Sequence, residues 1–539
     1  MNILGQANPW AGIAVGEQLA SFSPMIVLVC TMLAVVLCPV IFGRRTRPVA
    51  AVAAIGIVLT FVMALRVAKT VAEGGLSGLS TDPGAGLLIA DNLSAWYQII
   101  LTIFLAGVTW LWWIGSAETE RNAPEFFVLL LGSALGMALM ASTANLLMIV
   151  IAIETASLPS YAIVGFDKDS RKGSEASLKY MIFGAVCAAI MLYGASLLYG
   201  LVGSLSVADI ATYTLAQFGT GGNKLVLCIA LLMFFAGIAY KISAVPFHFW
   251  CPDAFEGAKI EVTTWLSVVS KAAGLILLLR IVLTFCAAVD VPAAMGQLAP
   301  LAWTIGIIAA VTCTFGNFCA YKQQSVKRML AYSSIAHAGY MMMATAVFLH
   351  PTVQEHYAGV TALLTYLIIY LFMNLGAFGV TALVSWDTGS DNIESFRGLI
   401  RGAPGLAIPM VICLVSLVGL PPLAGFIGKW WVLVALGSLE STLGWFLVIV
   451  LVANTLFSLY YYLRVVVQMC LYDDGRPAVR SPIGGIALVN ICAIAMLVLF
   501  FWANPLKTTT DRFSQNLLQA STVHSPVEVT LASGIPRAD

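Results

Sequence analysis

Charge is scarce in this sequence. Lysine, arginine, aspartate and glutamate make up 10% of its 539 residues, against about 25% in an average soluble domain. That excludes a soluble globular protein. A net charge of +1 argues against a nucleic-acid binder, which calls for a basic face. No stretch reads as a phosphate loop, a dinucleotide fingerprint or a haem ligand pair. The 11 cysteines lie scattered in apolar runs, as at Cys187, Cys228, Cys313 and Cys413. None forms a CxxC pair, which gives little support to a metal site or a disulfide framework. What is present is apolar: 60% of residues are hydrophobic and the mean hydropathy is +0.94. The chain reads as an all-α polytopic membrane protein with almost no soluble part.

A helix needs about 20 apolar residues to cross a bilayer. Fourteen such runs are expected, near 24–43, 49–68, 92–115, 124–141, 144–165, 174–203, 223–256, 260–288, 298–320, 325–349, 358–385, 404–436, 442–471 and 482–504. The residues before Pro24 are too polar for a signal-peptide core, so the first run is expected to stay as a helix. The polar tail from Lys507 to Asp539 is expected to be loosely ordered. Fifteen of the 27 basic residues, from Arg44 to Arg480 and including Arg121 and Arg476, fall in one set of loops. The opposite set holds Arg66, Lys69, Lys224, Lys507, Arg512 and Arg537. The positive-inside rule puts the first set in the cytoplasm and both termini in the periplasm or its equivalent.

Against this background a few intramembrane charges stand out. Lys179, Lys241, Lys271 and Lys429 lie within apolar runs, and Glu154 carries the opposite sign in the fifth. Each such charge costs at least about 2.5–3.5 kcal/mol to insert. Desolvation also makes a buried lysine easy to titrate, so a row of them reads as a proton path.

Two runs are too long and are interrupted. Ser243-Ala244-Val245-Pro246 breaks the seventh just after Lys241, and Gly419-Leu420-Pro421-Pro422-Leu423-Ala424-Gly425 breaks the twelfth before Lys429. Proline removes a backbone donor and clashes with the preceding turn. At membrane depth such a break survives only where protein or water satisfies the freed groups. Breaks five helices apart suggest two five-helix repeats, and an odd helix number makes their topology inverted. The expected divisions are a three-helix segment over 1–120, repeats over 121–290 and 291–472, and a last helix with polar tail over 473–539.

The partner of Glu154 must come from another helix, and Lys241 is the natural candidate. Pairing holds a proton on an amine and separation lets it go, which offers a switch; the plain alternative is a static salt bridge. Lys179 lies near one end of its helix, where it can snorkel to the surface. Lys241 is too deep for that. Lys271 has small neighbours that leave room for water, and Lys429 suits a terminal site. Arg280 and Arg464 do not release protons in practice and read as structural. His337 lies in sequence between the broken helices, flanked by hydroxyls, and could link Lys271 to Lys429. His248, after the first break, is a secondary candidate, although a lone histidine is more often a satisfied core residue.

The stretches Lys241–Ala258, Lys327–Tyr340 and Gly419–Lys429 resemble the antiporter-like membrane subunits of complex I and of multisubunit sodium/proton antiporters. Ser157–Phe166, Ser174–Tyr180, Asp253–Ala258 and Leu266–Ala272 resemble the subunit N group in particular, whose mitochondrial counterpart, subunit 2, generally lacks the three N-terminal crossings. Lysine at 429 differs from the glutamate expected in subunit M, and the tail after 504 lacks the lateral helix of subunit L. One departure is Lys259-Ile260-Glu261 where relatives usually show proline after Gly257-Ala258; these charges are expected at the cytoplasmic mouth.

The resemblance implies a proton-translocating, non-redox subunit of a bacterial inner-membrane NADH:quinone oxidoreductase. Protons would enter from the cytoplasm, pass Lys241, Lys271 and His337, and leave through Lys429, with Glu154 paired to Lys241. It implies no cofactor in this chain; flavin, iron–sulfur clusters and quinone belong to partner subunits. The implied neighbours are subunits M, K and J, with lipid and no nucleic acid. Two alternatives stay open: a cation/proton antiporter subunit without a redox partner, and a structural module whose lysines only hold helices together.

Overall fold

The computed structural model describes residues 19–43, 45–73, 87–116, 122–220, 224–289, 296–349, 357–472, 479 and 481–522. Arg44, Arg121, Arg476, Arg480 and Arg537, used above to orient the chain, lie outside them. The described residues are helical throughout, with no strand and only two isolated bridges. Twelve helices are long and apolar enough to cross a membrane, and they match twelve of the fourteen expected runs. The other two differ. Val326–Val347 is a 22-residue helix that does not meet the same measure. The run 404–436 is two shorter apolar helices, Pro404–Val418 and Ala424–Gly437.

In lipid the hydrophobic effect does not drive helices together, so close packing of small residues has to. The pair Ala299–Ala320 and Val326–Val347 shows this reciprocally. A side chain at Gly316 would run into the Ala336 backbone, and one at Gly339 into the backbone of Cys313.

Both expected breaks are present with the same local geometry. Ser243 has φ 66° and the Val245–Pro246 bond is cis; Gly419 has φ 85° and the Pro421–Pro422 bond is cis. In each case the left-handed residue precedes the cis proline by three positions. The two bridges are also matched. Asn145, which caps Leu146–Val164, pairs with Ser206, and Ser325, which caps Val326–Val347, pairs with Asn392. Each links the start of one helix to the chain leaving the next long helix.

Three features depart from expectation. Val207–Thr220 forms an additional 14-residue helix. The helix beginning at Ile260 contains a π segment over Leu266–Ser270, directly before Lys271. The tail is not loose as far as residue 522: Ala503–Thr522 is a helix, and the remainder, 523–539, lies outside the described residues. This helix packs by a row of hydroxyls. Thr361 Oγ1 donates to Asp511 Oδ1 at 2.8 Å and lies 3.1 Å from Ser514 Oγ, and Thr365 lies 3.2 Å from Thr510.

Candidate proton path

Lys241 ends the first half-helix, Lys224–Ile242, one residue before the chain turns away. Its side chain is fully buried, and Nζ donates to Ser157 Oγ at 3.1 Å. Ser157 stands one turn after Glu154 on Leu146–Val164, so both point the same way along that helix. Glu154 is half-buried. No ion pair within 4.0 Å joins it to Lys241 among the described residues, and the Lys241 amine is held by the Ser157 hydroxyl.

Lys271 is also fully buried. Nζ lies 3.4 Å from Cys251 Sγ and over the rings of Phe255 and Trp250, at 4.8 and 5.7 Å. All three belong to Trp250–Gly257, the short helix after the first break. Cys251 in turn lies 3.9 Å from Ser334 Oγ, on the helix that carries His337. The thiol is thus the nearest polar link from Lys271 towards the second half.

His337 is 1% exposed. Its Nδ1 lies 2.8 Å from Tyr366 Oη and its Nε2 lies 3.3 Å from Tyr462 Oη, which also pairs with Ser333. Lys429 is 4% exposed. It donates to the Val418 carbonyl at 2.8 Å and sits 4.7 Å over the Tyr340 ring, whose other contacts include His337 at 5.7 Å. The Tyr340 hydroxyl accepts from Asn317 at 2.8 Å, and Asn317 is held by Tyr461 and Asn454 at 3.0 Å each. A charge over an aromatic face is held by the ring quadrupole, and hydroxyls that both donate and accept can pass a proton between larger groups.

Two candidates are not joined to this row. Lys179 is not buried: its side chain is 44% exposed and pairs with Glu175 at 2.9 Å and Asp253 at 3.0 Å. Its place near the helix end, the snorkelling position read from sequence, puts its amine beside these two carboxylates. Asp253 also binds Arg328 at 3.1 Å, and Arg328 pairs with Glu256. This ionic cluster clamps the short helix Trp250–Gly257 at one mouth. His248 is buried between Phe249 and Phe315, at 4.3 Å from each ring, and its Nδ1 is buried with no hydrogen-bond partner among the described residues. Glu261, expected at the mouth, is instead 2% exposed and accepts from Ser116 Oγ at 2.7 Å. Arg280 is structural as read: it grips Asp91 through two bonds of 2.9 and 2.8 Å and also donates to the Ala141 carbonyl.

The reading from sequence missed Cys251, Ser157 and the tyrosines. Tyr340 and Tyr462 lie in membrane helices with several other polar side chains, where a tyrosine does not stand out. Their only signal was position: Tyr340 follows His337 by three residues, on the same helical face.

Fold and site together define a polytopic, antiporter-like membrane protein. Residues 143–458 match the family described as NADH:quinone oxidoreductase/Mrp antiporter, transmembrane. The chain belongs to this family and, within it, to the subunit N group. It is 39% identical over 446 residues to NADH-quinone oxidoreductase subunit N of Anaeromyxobacter sp. (strain Fw109-5), covering 79% of this chain and 84% of that one. It is 35% identical over 525 residues to NAD(P)H-quinone oxidoreductase subunit 2 of Rippkaea orientalis (strain PCC 8801 / RF-1), covering 93% and 96%. A chain of respiratory complex I from Thermus thermophilus with bound Aureothin superposes with a TM-score of 0.70 at 28% identity, over 90% of this chain and 98% of that one. A chain of the Mrp complex from Dietzia sp. DQ12-45-1b shares the fold, with a TM-score of 0.78 at 18% identity over 94% and 99%.

Proposed function

We propose that this chain is a non-redox, proton-translocating subunit of NADH-quinone oxidoreductase in a bacterial inner membrane. One observation carries the reading: three amines and an imidazole, none more than 4% exposed, follow one another along the chain between two broken helices, with Ser157 at Lys241, Cys251 at Lys271, Tyr366 and Tyr462 at His337 and the Tyr340 ring at Lys429. Glu154 acts as the switch. Its approach holds a proton on Lys241, and its withdrawal releases that proton towards Lys271. From there the route runs past Cys251 and Ser334 to His337, and through Tyr340 to Lys429. The matched breaks and bridges support two inverted five-helix repeats, and the basic loops support termini in the periplasm. In that frame the Asp253–Arg328 cluster stands at the cytoplasmic inlet.

Electron transfer stays with partner subunits that hold flavin, iron–sulfur clusters and quinone. Subunits M, K and J are the membrane neighbours the reading implies. Proton uptake by inverted membrane vesicles tests it. NADH should drive uptake that falls when this chain is deleted, whereas sodium-driven proton exchange without NADH and quinone would favour an antiporter with no redox partner.

Lys179 is assigned to the inlet cluster rather than the buried row. Lys179→Ala is therefore expected to change NADH-driven pumping by less than about twofold, as for an exposed ion pair worth under about 1 kcal/mol. A loss as large as that of the buried lysines would return it to the path.

A further inference from the structure

The π segment Leu266–Ser270 ends at Lys271. An α-helix advances about 100° per residue, and a π turn accommodates one residue more than the α ladder does. Resolving the π turn into regular helix would rotate Lys271 relative to Ile260–Trp265 and take its amine away from Cys251. The segment reads Leu266-Ser267-Val268-Val269-Ser270, without glycine or proline; its one local device is Ser267, whose Oγ donates to the Thr264 carbonyl at 2.7 Å, so fixing the register over the whole turn calls for further partners.

Two tyrosines from neighbouring helices donate into it. Tyr97 Oη donates to the Val269 carbonyl at 3.0 Å, and Tyr370 Oη donates to the Ser267 carbonyl at 3.4 Å. Both tyrosines are fully buried. Tyr97 belongs to Asn92–Gly115, in the N-terminal segment, outside both proposed repeats. That helix is pinned to the same partner at its two ends, through Asp91 with Arg280 and through Ser116 with Glu261. The contact at Tyr97 falls between these pins, two residues before Lys271.

We infer that Tyr97 is a positioning residue for Lys271: the N-terminal helix acts as a splint whose phenol fixes the π register and so aims the amine at Cys251. The inference rests on the proposed role of Lys271 in proton transfer. It gives the N-terminal segment a task in conduction, separate from holding the bundle together. Tyr370, donating from the opposite side, completes the clamp.

The test compares Tyr97→Phe with wild type in assembled complex, reading protons pumped per NADH oxidised. The substitution keeps the ring and removes only the donor. Poorer assembly lowers pumping and NADH oxidation together and leaves their ratio unchanged. A misaimed Lys271 lowers the ratio, with an expected loss of about threefold or more, since a displacement near 1 Å can cost a reacting group roughly a hundredfold. Asp91→Asn serves as control: it weakens a pin without touching the π segment and should reduce yield while sparing the ratio. If Tyr97→Phe fails to assemble, Tyr370→Phe carries the same expectation. A wild-type ratio in the assembled Tyr97→Phe or Tyr370→Phe complex overturns the inference. Lys271→Ala separates the two levels: if it too leaves the ratio unchanged, the proposed path fails; if it lowers the ratio while the tyrosine variants do not, only the positioning role fails.

Discussion

Lys241→Ala is expected to lower NADH-driven proton pumping at least about tenfold in a complex that still assembles, because a positioned proton-transferring group contributes roughly 10²–10⁴-fold. Lys241→Arg decides what kind of role the residue has. Arginine keeps the positive charge opposite Glu154 but does not release a proton in proteins. If the pair only fastened helices, arginine would restore pumping. If Lys241 must give up its proton, arginine is as inactive as alanine. The two variants, each scored for assembly and for proton uptake by inverted vesicles, separate a working proton site from a static bridge. Normal pumping in both would leave the buried amines as packing features. The 3.1 Å contact with Ser157 adds a refinement. The hydroxyl receives the amine while Glu154 stands apart, so Ser157→Ala should slow pumping less than Lys241→Ala does.

Arg280→Ala is expected to remove most of the assembled protein from the membrane. Arg280 is 6% exposed and holds Asp91 and the Ala141 carbonyl together. Breaking a fully buried pair by deleting one partner costs about 3–5 kcal/mol, and the cost here lies towards the lower end, because Asp91 keeps 26% of its side chain exposed while the Ala141 carbonyl also loses its donors. That is a large share of the roughly 5–15 kcal/mol by which a folded protein is stable. Loss of detergent-solubilised complex on a heating series measures it. Arg280→Lys should recover only part, since lysine keeps the charge but loses the forked geometry that meets a carboxylate at two points. Full stability in Arg280→Ala would mean that the N-terminal helix is held mainly by packing.

The sequence disclosed the buried row for a simple reason. A lysine in an apolar run is costly, and Lys241, Lys271 and Lys429 each lie deep in such a run, where the side chain is buried. The partners of Lys179 were not legible, because distance along a chain does not say whether a flexible four-carbon stem can reach an acidic group; Glu175 and Asp253 lie within reach of it. The helix breaks were legible because proline and glycine act locally. The π segment was not, since Leu266–Ser270 has no glycine or proline to mark it and receives donors 172 and 103 residues away in Tyr97 and Tyr370. The hydroxyl and thiol links were hidden for a related reason: serine, cysteine and tyrosine are ordinary in membrane helices, and only the fold brings Cys251 between Lys271 and Ser334. The tail was judged by polarity alone, whereas Thr510, Asp511 and Ser514 find partners on Tyr357–Thr388.

The second break places the Lys429 amine on the Val418 carbonyl, where the half-helix Pro404–Val418 ends. The end of a helix carries roughly half a negative charge, with carbonyls that lack partners in the helix, and broken transporter helices use such ends to seat sodium ions or protons. Here the seat comes with its own occupant. Lys429 is a cation on a covalent leash: it can satisfy the carbonyl but cannot diffuse away. What can leave such a seat is the proton alone, so on the proposed path a site built like a cation-binding pocket would exchange hydrogen ions while its nitrogen stays in place.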